Sequence, residues 1–274
     1  MRFTDAARRF DDIQVSDAYT RYPLFKAQVA AFVDNAPDGS ISRRRVISVA
    51  PGVTFPARQA VYWLGEYWLV GDTVQDGLLG VAVRRSAATK KATDLFTVCT
   101  PGQAALGGSG TPTYGQKEYL KDITNVTSDS EYDPFWEISF GESVSKGAYF
   151  TTASKVYRAR STHQILEGFW VASSDELDGF RTTATFAGST YNPITESYTG
   201  SSVVTSVLYV DGYKLFEYLH ASTVKMAPGD QTLVVAKSAL TPVVGAVVTV
   251  NYATWRIVTV QEDGDAWNVH IRRV

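Results

Sequence analysis

The chain is poor in the residues that build reactive centres. It holds one cysteine, Cys99, in 274 residues. One cysteine excludes an intrachain disulfide and a thiolate metal cluster, so the fold needs no oxidising compartment. Cys99 itself reads as a small buried apolar residue near the end of a strand. Histidine is almost as scarce, with three. His163 lies in a polar turn and His220 follows a strand. His270 alternates with Val269 and Ile271, so it faces away from them. None has metal-ligand spacing such as His-Glu-x-x-His.

Long apolar runs are missing as well. No stretch approaches the roughly 18 apolar residues of a membrane helix, so no membrane partner is expected. The opening Met-Arg-Phe-Thr-Asp-Ala-Ala-Arg-Arg-Phe has charges but no apolar segment behind them, so no secretory signal is expected. Without one, the sequon Asn125-Val126-Thr127 is a chance match. An excess of either charge is also lacking: 26 Lys and Arg stand against 28 Asp and Glu, for a net charge of −2. A dedicated nucleic-acid binder is usually strongly basic.

Signatures of catalysis are absent in the same way. No phosphate loop or dinucleotide fingerprint occurs. Gly107-Gly108-Ser109-Gly110-Thr111 lacks the last glycine of a nucleophile elbow, and no strand precedes it. A glycosidase needs two carboxyls across a cleft. Glu137, Glu142, Glu167, Asp175 and Glu176 are the candidates, but Glu137 and Glu167 alternate with apolar neighbours as outward strand residues do. The expectation is no enzyme, no cofactor and no metal.

What is present is β material. The chain has 15 Tyr, 13 Phe and 6 Trp, with 45% hydrophobic residues overall. Aromatic and β-branched side chains fit a pleated, half-buried surface, and this much apolar mass excludes disorder. Asp-Gly, which suits the positive φ angles of a hairpin turn, occurs at 38–39, 76–77, 178–179, 211–212 and 263–264. It predicts hairpins over Val203–Leu219, Trp68–Arg85 and Trp255–Arg273. Helix signals are few. Thr4 is placed to cap a short first helix. After Pro23, the apolar residues Phe25, Val29, Phe32 and Val33 have helical spacing, which predicts a short N-terminal helix of about ten residues. Leu106–Thr113 reads as a flexible connection, and Ala227-Pro228-Gly229-Asp230 as a second boundary.

A repeat organises these pieces. At an offset of 187 residues, Val46–Gly77 lies over Leu233–Gly264, matching Thr54 with Thr241, Val61 with Val248, Trp68 with Trp255, Asp76 with Asp263 and Gly77 with Gly264. With one residue inserted, Val81–Arg85 follows over Val269–Arg273. The expected fold is mainly β: two related small, SH3-like β-barrel units flank a β-rich middle segment, behind a short N-terminal helix. The divisions are 1–106, with a first unit centred on 46–85, then 107–226, and a second unit at 227–274. Tyr114–Tyr132 and Thr182–Ser202 are too polar for a core and too aromatic for a linker. They suit arms that add a strand to a neighbour.

The closing residues Val247–Arg273 run as a strand, a loop, Trp255-Arg256-Ile257, an Asp-Gly turn and an alternating strand. This resembles the C-terminal strands of phage head–tail connector proteins, the head-closure (stopper) and joining group. The resemblance covers the last 45 residues and, through the repeat, 46–85. It implies a virion protein, assembled in the host cytoplasm, that forms a homo-oligomeric ring. Portal or adaptor proteins and tail proteins would be its partners. No catalytic residue carries over. Such a ring surrounds packaged duplex DNA, so the basic clusters Arg43-Arg44-Arg45, Arg84-Arg85 and Arg272-Arg273 are candidate channel or interface contacts through non-specific phosphate binding. The alternative is a receptor- or carbohydrate-binding module of a tail fibre or baseplate, with Trp63, Trp68, Trp136, Trp170, Trp255 and Trp267 available to stack on sugars. Because Trp68 and Trp255 share one repeat position, they are expected in the cores.

Overall fold

The structure, a computed structural model, describes residues 11–16, 21–31, 44–49, 60–78, 81–108, 110–119, 135–166, 168–188, 190–192, 194, 197–211 and 227–274. The described chain is almost entirely β. Its first six strands are β1 (Asp11–Ser16), β2 (Arg21–Ala31), β3 (Arg44–Val49), β4 (Ala60–Trp63), β5 (Glu66–Leu78) and β6 (Val81–Lys91). They form a closed barrel of order β1-β2-β3-β6-β5-β4. Closure runs through Gln14, Val15 and Ser16 of β1 against Tyr62, Val61 and Ala60 of β4. Two three-stranded meanders are thus joined at both edges, which removes free strand edges from the ring. Ile47, Val49, Val61, Trp68, Val70 and Ala87 fill its core.

The helix expected after Pro23 is a strand instead. Phe25, Ala27, Val29 and Ala31 also alternate at period two, and pairing on both sides decides between the readings. Ile13 of β1 faces Phe25, and Val29 faces Ile47 of β3. Pro23 is tolerated because the register slips there: Gln14 pairs with Leu24 but Ser16 with Arg21. A residue without an N–H is accommodated at such a bulge. Thr4 lies outside the described residues.

The middle segment holds a second ring. Its strands are β7 (Asp94–Cys99), β8 (Thr111–Tyr119), β9 (Phe135–Phe140), β10 (Tyr149–Thr151), β11 (Val156–Gln164) and β12 (Trp170–Leu177). The order is β10-β11-β12-β9-β8-β7, closed by β7 on β10. A third ring takes β13 (Gly179–Phe186), β16 (Val203–Asp211), β17 (Gln231–Ala236), β18 (Val247–Val250), β19 (Ala253–Asp263) and β20 (Ala266–Arg273), closed by β13 on β18. Between β13 and β16 lies a separate two-stranded sheet, β14 (Thr190–Asn192) with β15 (Ser197–Thr199). All three barrels share one ring order: strands one, two and three, then six, five and four.

The chain divides into two compact units: residues 1–96, 112–146 and 161–174, and residues 97–111, 147–160 and 175–274. The first contains the whole first barrel and the second the whole third barrel. The strands of the middle ring are divided between them. In the first unit, Phe96 and Phe140 meet edge to face at 5.7 Å over Gly115, where a Cβ would come within 2.7 Å of the Phe96 ring.

The repeat holds in part. Val61 and Val248, Trp68 and Trp255, and Val70 and Ile257 occupy matching core positions. The strand before them slips by one residue. Ile47 and Leu233 face inward, opposite Ala87 and Val269, so Ile47 matches Leu233 and not Val234. A slip of one residue turns every side chain to the other face. The last strands also realign. Trp68 faces Lys91 where Trp255 faces Arg273, so Lys90-Lys91 take the place of Arg272-Arg273. Arg84-Arg85 lie further back on a longer hairpin.

That hairpin explains the misplaced turn. Asp76 and Gly77 sit inside β5, where they pair with Arg84 and Ala82 across a register shift. At the matching end of the third barrel, Asp263 pairs with Ala266, leaving Gly264-Asp265 as the loop. Gly264 has φ 59 and Asp265 is not among the positive-φ residues, the pattern of a type II′ turn. Asp178-Gly179 joins strands of different sheets. Asp38-Gly39 and the return strand expected after Asp211 lie outside the described residues, as do 120–132 of one expected arm. Its start, Tyr114, is in β8. The other expected arm begins late: Ala184 and Phe186 are core residues.

One helix was not foreseen. α1 (Pro101–Leu106) starts at the Thr100 cap with a capping box to Gln103 and Pro101 in the first turn, and ends at Gly107 with φ 73. All three are sequence-legible signals. Ala104 and Ala105 pack with Cys99, Tyr149, Leu177, Leu208, Val210, Val234 and Ala266 on the outside of the third barrel.

Candidate functional site

The described members of the predicted basic clusters lie on paired strands of the first and third barrels. Arg43 lies outside the described residues. Arg44 and Arg45 are on β3, paired with Lys90 and Thr89. Arg84 pairs with Asp76 on β5. Arg85, half-buried, lies between Gln75 and Val49. Lys90 is buried and donates to Ser139 Oγ at 3.0 Å, with the Phe169 ring 5.3 Å away. Lys91 forms an ion pair with Glu66.

In the third barrel, Arg272 is committed to a carboxylate. Its Nε donates to Asp230 Oδ1 at 2.9 Å and its Nη2 to Oδ2 at 2.8 Å. This is the bidentate geometry that guanidinium favours. Asp230 Oδ2 also accepts from His270 Nε2 at 2.8 Å and from the Ala227 N–H at 2.7 Å. The Arg272 bonds hold the Asp230 carboxyl far below the usual carboxylate range, against its burial and with help from Ala227 and His270. His270 is fully buried. The Ala227–Asp230 boundary is therefore a turn that delivers Asp230 to the end of β20. Arg273 is exposed at that end, and exposed Arg256 faces Arg272 across the ladder.

Further charges are spent in similar clamps. Arg158 Nη2 donates to Asp263 Oδ2 at 2.9 Å, and Asn268 Nδ2 to the same oxygen at 3.1 Å. Beside them, burial pushes the Tyr149 hydroxyl far up. Arg160 pairs with buried Asp175, and Lys155 with Glu176. Glu142 accepts from Thr113 Oγ1. Glu137, on β9, faces Glu118 of β8. The carboxylates considered for sugar hydrolysis are thus partnered or scattered, and Glu167 lies outside the described residues. His163 is in strand β11, not in a turn, and is exposed. His220 lies outside the described residues. Burial raises the Cys99 thiol, which keeps it a poor nucleophile. Among the described residues no group of three His, Cys, Asp or Glu is arranged to hold a metal ion, and no helix is long and apolar enough to cross a membrane.

Two of the six tryptophans are inside and four are half-buried. Trp68 and Trp255 are core residues. Trp63, Trp136, Trp170 and Trp267 are half-buried, with Lys117 4.7 Å over Trp136 and Lys237 4.8 Å over Trp267. Among the described residues the exposed large rings are others: Phe180, 52% exposed against Tyr209, and Tyr252 at a hairpin tip. Thr182 Oγ1 donates to Asn251 Oδ1 at 3.1 Å, tying the strand that carries Phe180 to the tip that carries Tyr252. The sequence did signal the tip: Asn251-Tyr252 separates two alternating runs. No protein-family model matches the chain, and neither a curated protein nor a solved structure does.

Proposed function

We propose that the chain is a structural virion protein of a phage neck, joining the portal or head to the tail as a homo-oligomeric ring. The observation that carries the reading is the threefold use of one closed barrel, with several of its described charged groups clamped to one another. Such a build holds shape and offers no bond chemistry. It adds to the likeness of Val247–Arg273 to connector proteins. The rings have no free edge, so strand addition to a neighbour would use β14–β15, whose two strands have outer edges. Partners on this reading are further copies, portal or adaptor proteins and tail proteins. Packaged duplex DNA would be touched only non-specifically. Arg273 is the predicted residue best placed for that contact, since Arg272 is held by Asp230. The test is electron microscopy of the protein with a candidate portal ring and of the virion. A closed ring at the head–tail junction supports the reading; density at a fibre tip, or none, sinks it.

A second reading is a receptor- or carbohydrate-binding module of a tail fibre or baseplate. Its support is two exposed rings, Phe180 and Tyr252, each within two residues along the chain of the hydrogen-bonded pair Thr182 and Asn251. Glycan binding that quenches or enhances aromatic fluorescence, and that Phe180→Ala abolishes, would favour it.

A further inference from the structure

Two hairpin tips carry a cost that the fold does not return. The β4–β5 loop is Leu64-Gly65, with φ 48 and 84; the β18–β19 loop is Asn251-Tyr252, with φ 51 and 61. Each spans a two-residue gap, between Trp63 and Glu66 and between Val250 and Ala253. Positive φ at both positions defines a type I′ turn, for which Asn-Gly is the relaxed sequence. The first tip has leucine where asparagine is preferred. The second has tyrosine where glycine is preferred. A bulky side chain in the left-handed region is strained.

Strain of this kind is normally recovered by packing, and here it is not. Leu64 is 78% exposed and Tyr252 106%. Both tips occupy the same place in their barrels, Leu64-Gly65 falling on Asn251-Tyr252 at the repeat offset. The chain twice sets a large apolar residue, strained and in water, on the same turn. An outlier of this kind points from conformation toward function.

We infer that Leu64 and Tyr252 are self-association contacts, each seating on a second copy of this chain. The occupant rests on the ring reading above. The tips present no charge, so phosphate or metal would gain nothing there. A net charge of −2 leaves copies little mutual repulsion. Closed rings bar edge-to-edge pairing of barrels, so a contact made by the barrels themselves runs through side chains such as these. A tyrosine buries roughly 150–250 Å², far less than the roughly 1,600 Å² of a standard stable interface. The tips are therefore anchors of a weak contact that becomes filled at high local concentration.

The test uses Leu64→Asn and Tyr252→Gly, each of which restores the relaxed Asn-Gly pair, singly and together in the full chain. Sedimentation velocity over a concentration series reads association, and thermal unfolding reads the fold. The expected result is a Tm unchanged or raised by about 2–4 °C, with self-association of the double variant weakened at least tenfold. A lowered Tm would make the tips structural and overturn the inference. Variants that associate like the wild type, in a protein that does form rings, overturn it while the ring reading stands. A wild-type chain that stays monomeric at every concentration and beside a portal ring overturns both.

Discussion

Asp230 gathers four hydrogen bonds from Arg272, His270 and the Ala227 backbone, and each favours its charged form. Its folded-state pKa therefore lies below the unfolded value of roughly 3.9. A depressed carboxylate contributes stability above the unfolded pKa and loses it as pH falls toward the folded one. Wild-type Tm should thus be flat from pH 7 to 5 and fall below about pH 4. Asp230→Asn should be less stable at pH 7 by about 2 kcal/mol, the usual worth of hydrogen bonds to a charged group. Its Tm should fall less steeply in acid, so the two curves converge. Parallel curves from pH 7 to 3 would show that the carboxylate's charge contributes nothing. Arg272→Ala should lower stability too, because it removes the largest partner of that charge. A DNA-retention defect in that variant would then report a damaged fold, and Arg273→Ala is the cleaner probe of phosphate contact.

Among the elements, α1 is the most conditional. Six residues make no stable helix alone, so its ends must be held. The Asp265 carboxylate accepts from the Gly102 N–H at 2.8 Å and from Thr100 Oγ1, closing the first turn onto the β19–β20 loop. A Cβ on Gly102 would stand 2.7 Å from Asp265 Oδ2. Gly102→Ala should therefore cost about 1–2 kcal/mol, although alanine is the better helix former. If Gly102→Ala raises Tm in a thermal melt, the clamp is not limiting. The cap was legible, as Thr100-Pro101-Gly102-Gln103; its anchor, 165 residues away, was not. The same division recurs through the fold. Local alternation and turn residues marked β19 and β20 and the shared tryptophans. Non-local pairing decided what they left open. β2 carries helical and strand periodicity together, and only Ile13 and Ile47 on either side make it a strand. The repeat's first strand slipped because one loop is a residue longer, which no pattern within the strand records. The middle barrel shares its ring order with the others, yet no fixed offset reveals it. The charged clamps escaped notice for a similar reason: Asp230 and Arg272 are 42 residues apart, and each alone looks like a surface charge.

At the scale of the whole molecule, two forces compete to explain assembly, and ionic strength separates them. If arginine clusters carried the partner contacts, binding would weaken steeply with salt, as phosphate neutralisation does. The structure argues for a different balance. Arg272, Arg158, Arg160, Lys91 and Lys155 are tied to carboxylates within the chain, and the opposite charges nearly cancel overall. Contacts through Leu64 and Tyr252 are apolar, and burial of such groups is not screened by salt. Raising sodium chloride from about 50 mM to 500 mM spans the change in Debye length from longer than a side chain to roughly its size. Self-association measured by sedimentation velocity across that range should stay within about threefold. Over the same range, any retention on duplex DNA should disappear, since a few arginines give little affinity to begin with and each phosphate contact weakens with salt. Self-association that falls tenfold or more with salt would return the basic clusters to the interface and remove the hairpin tips from it.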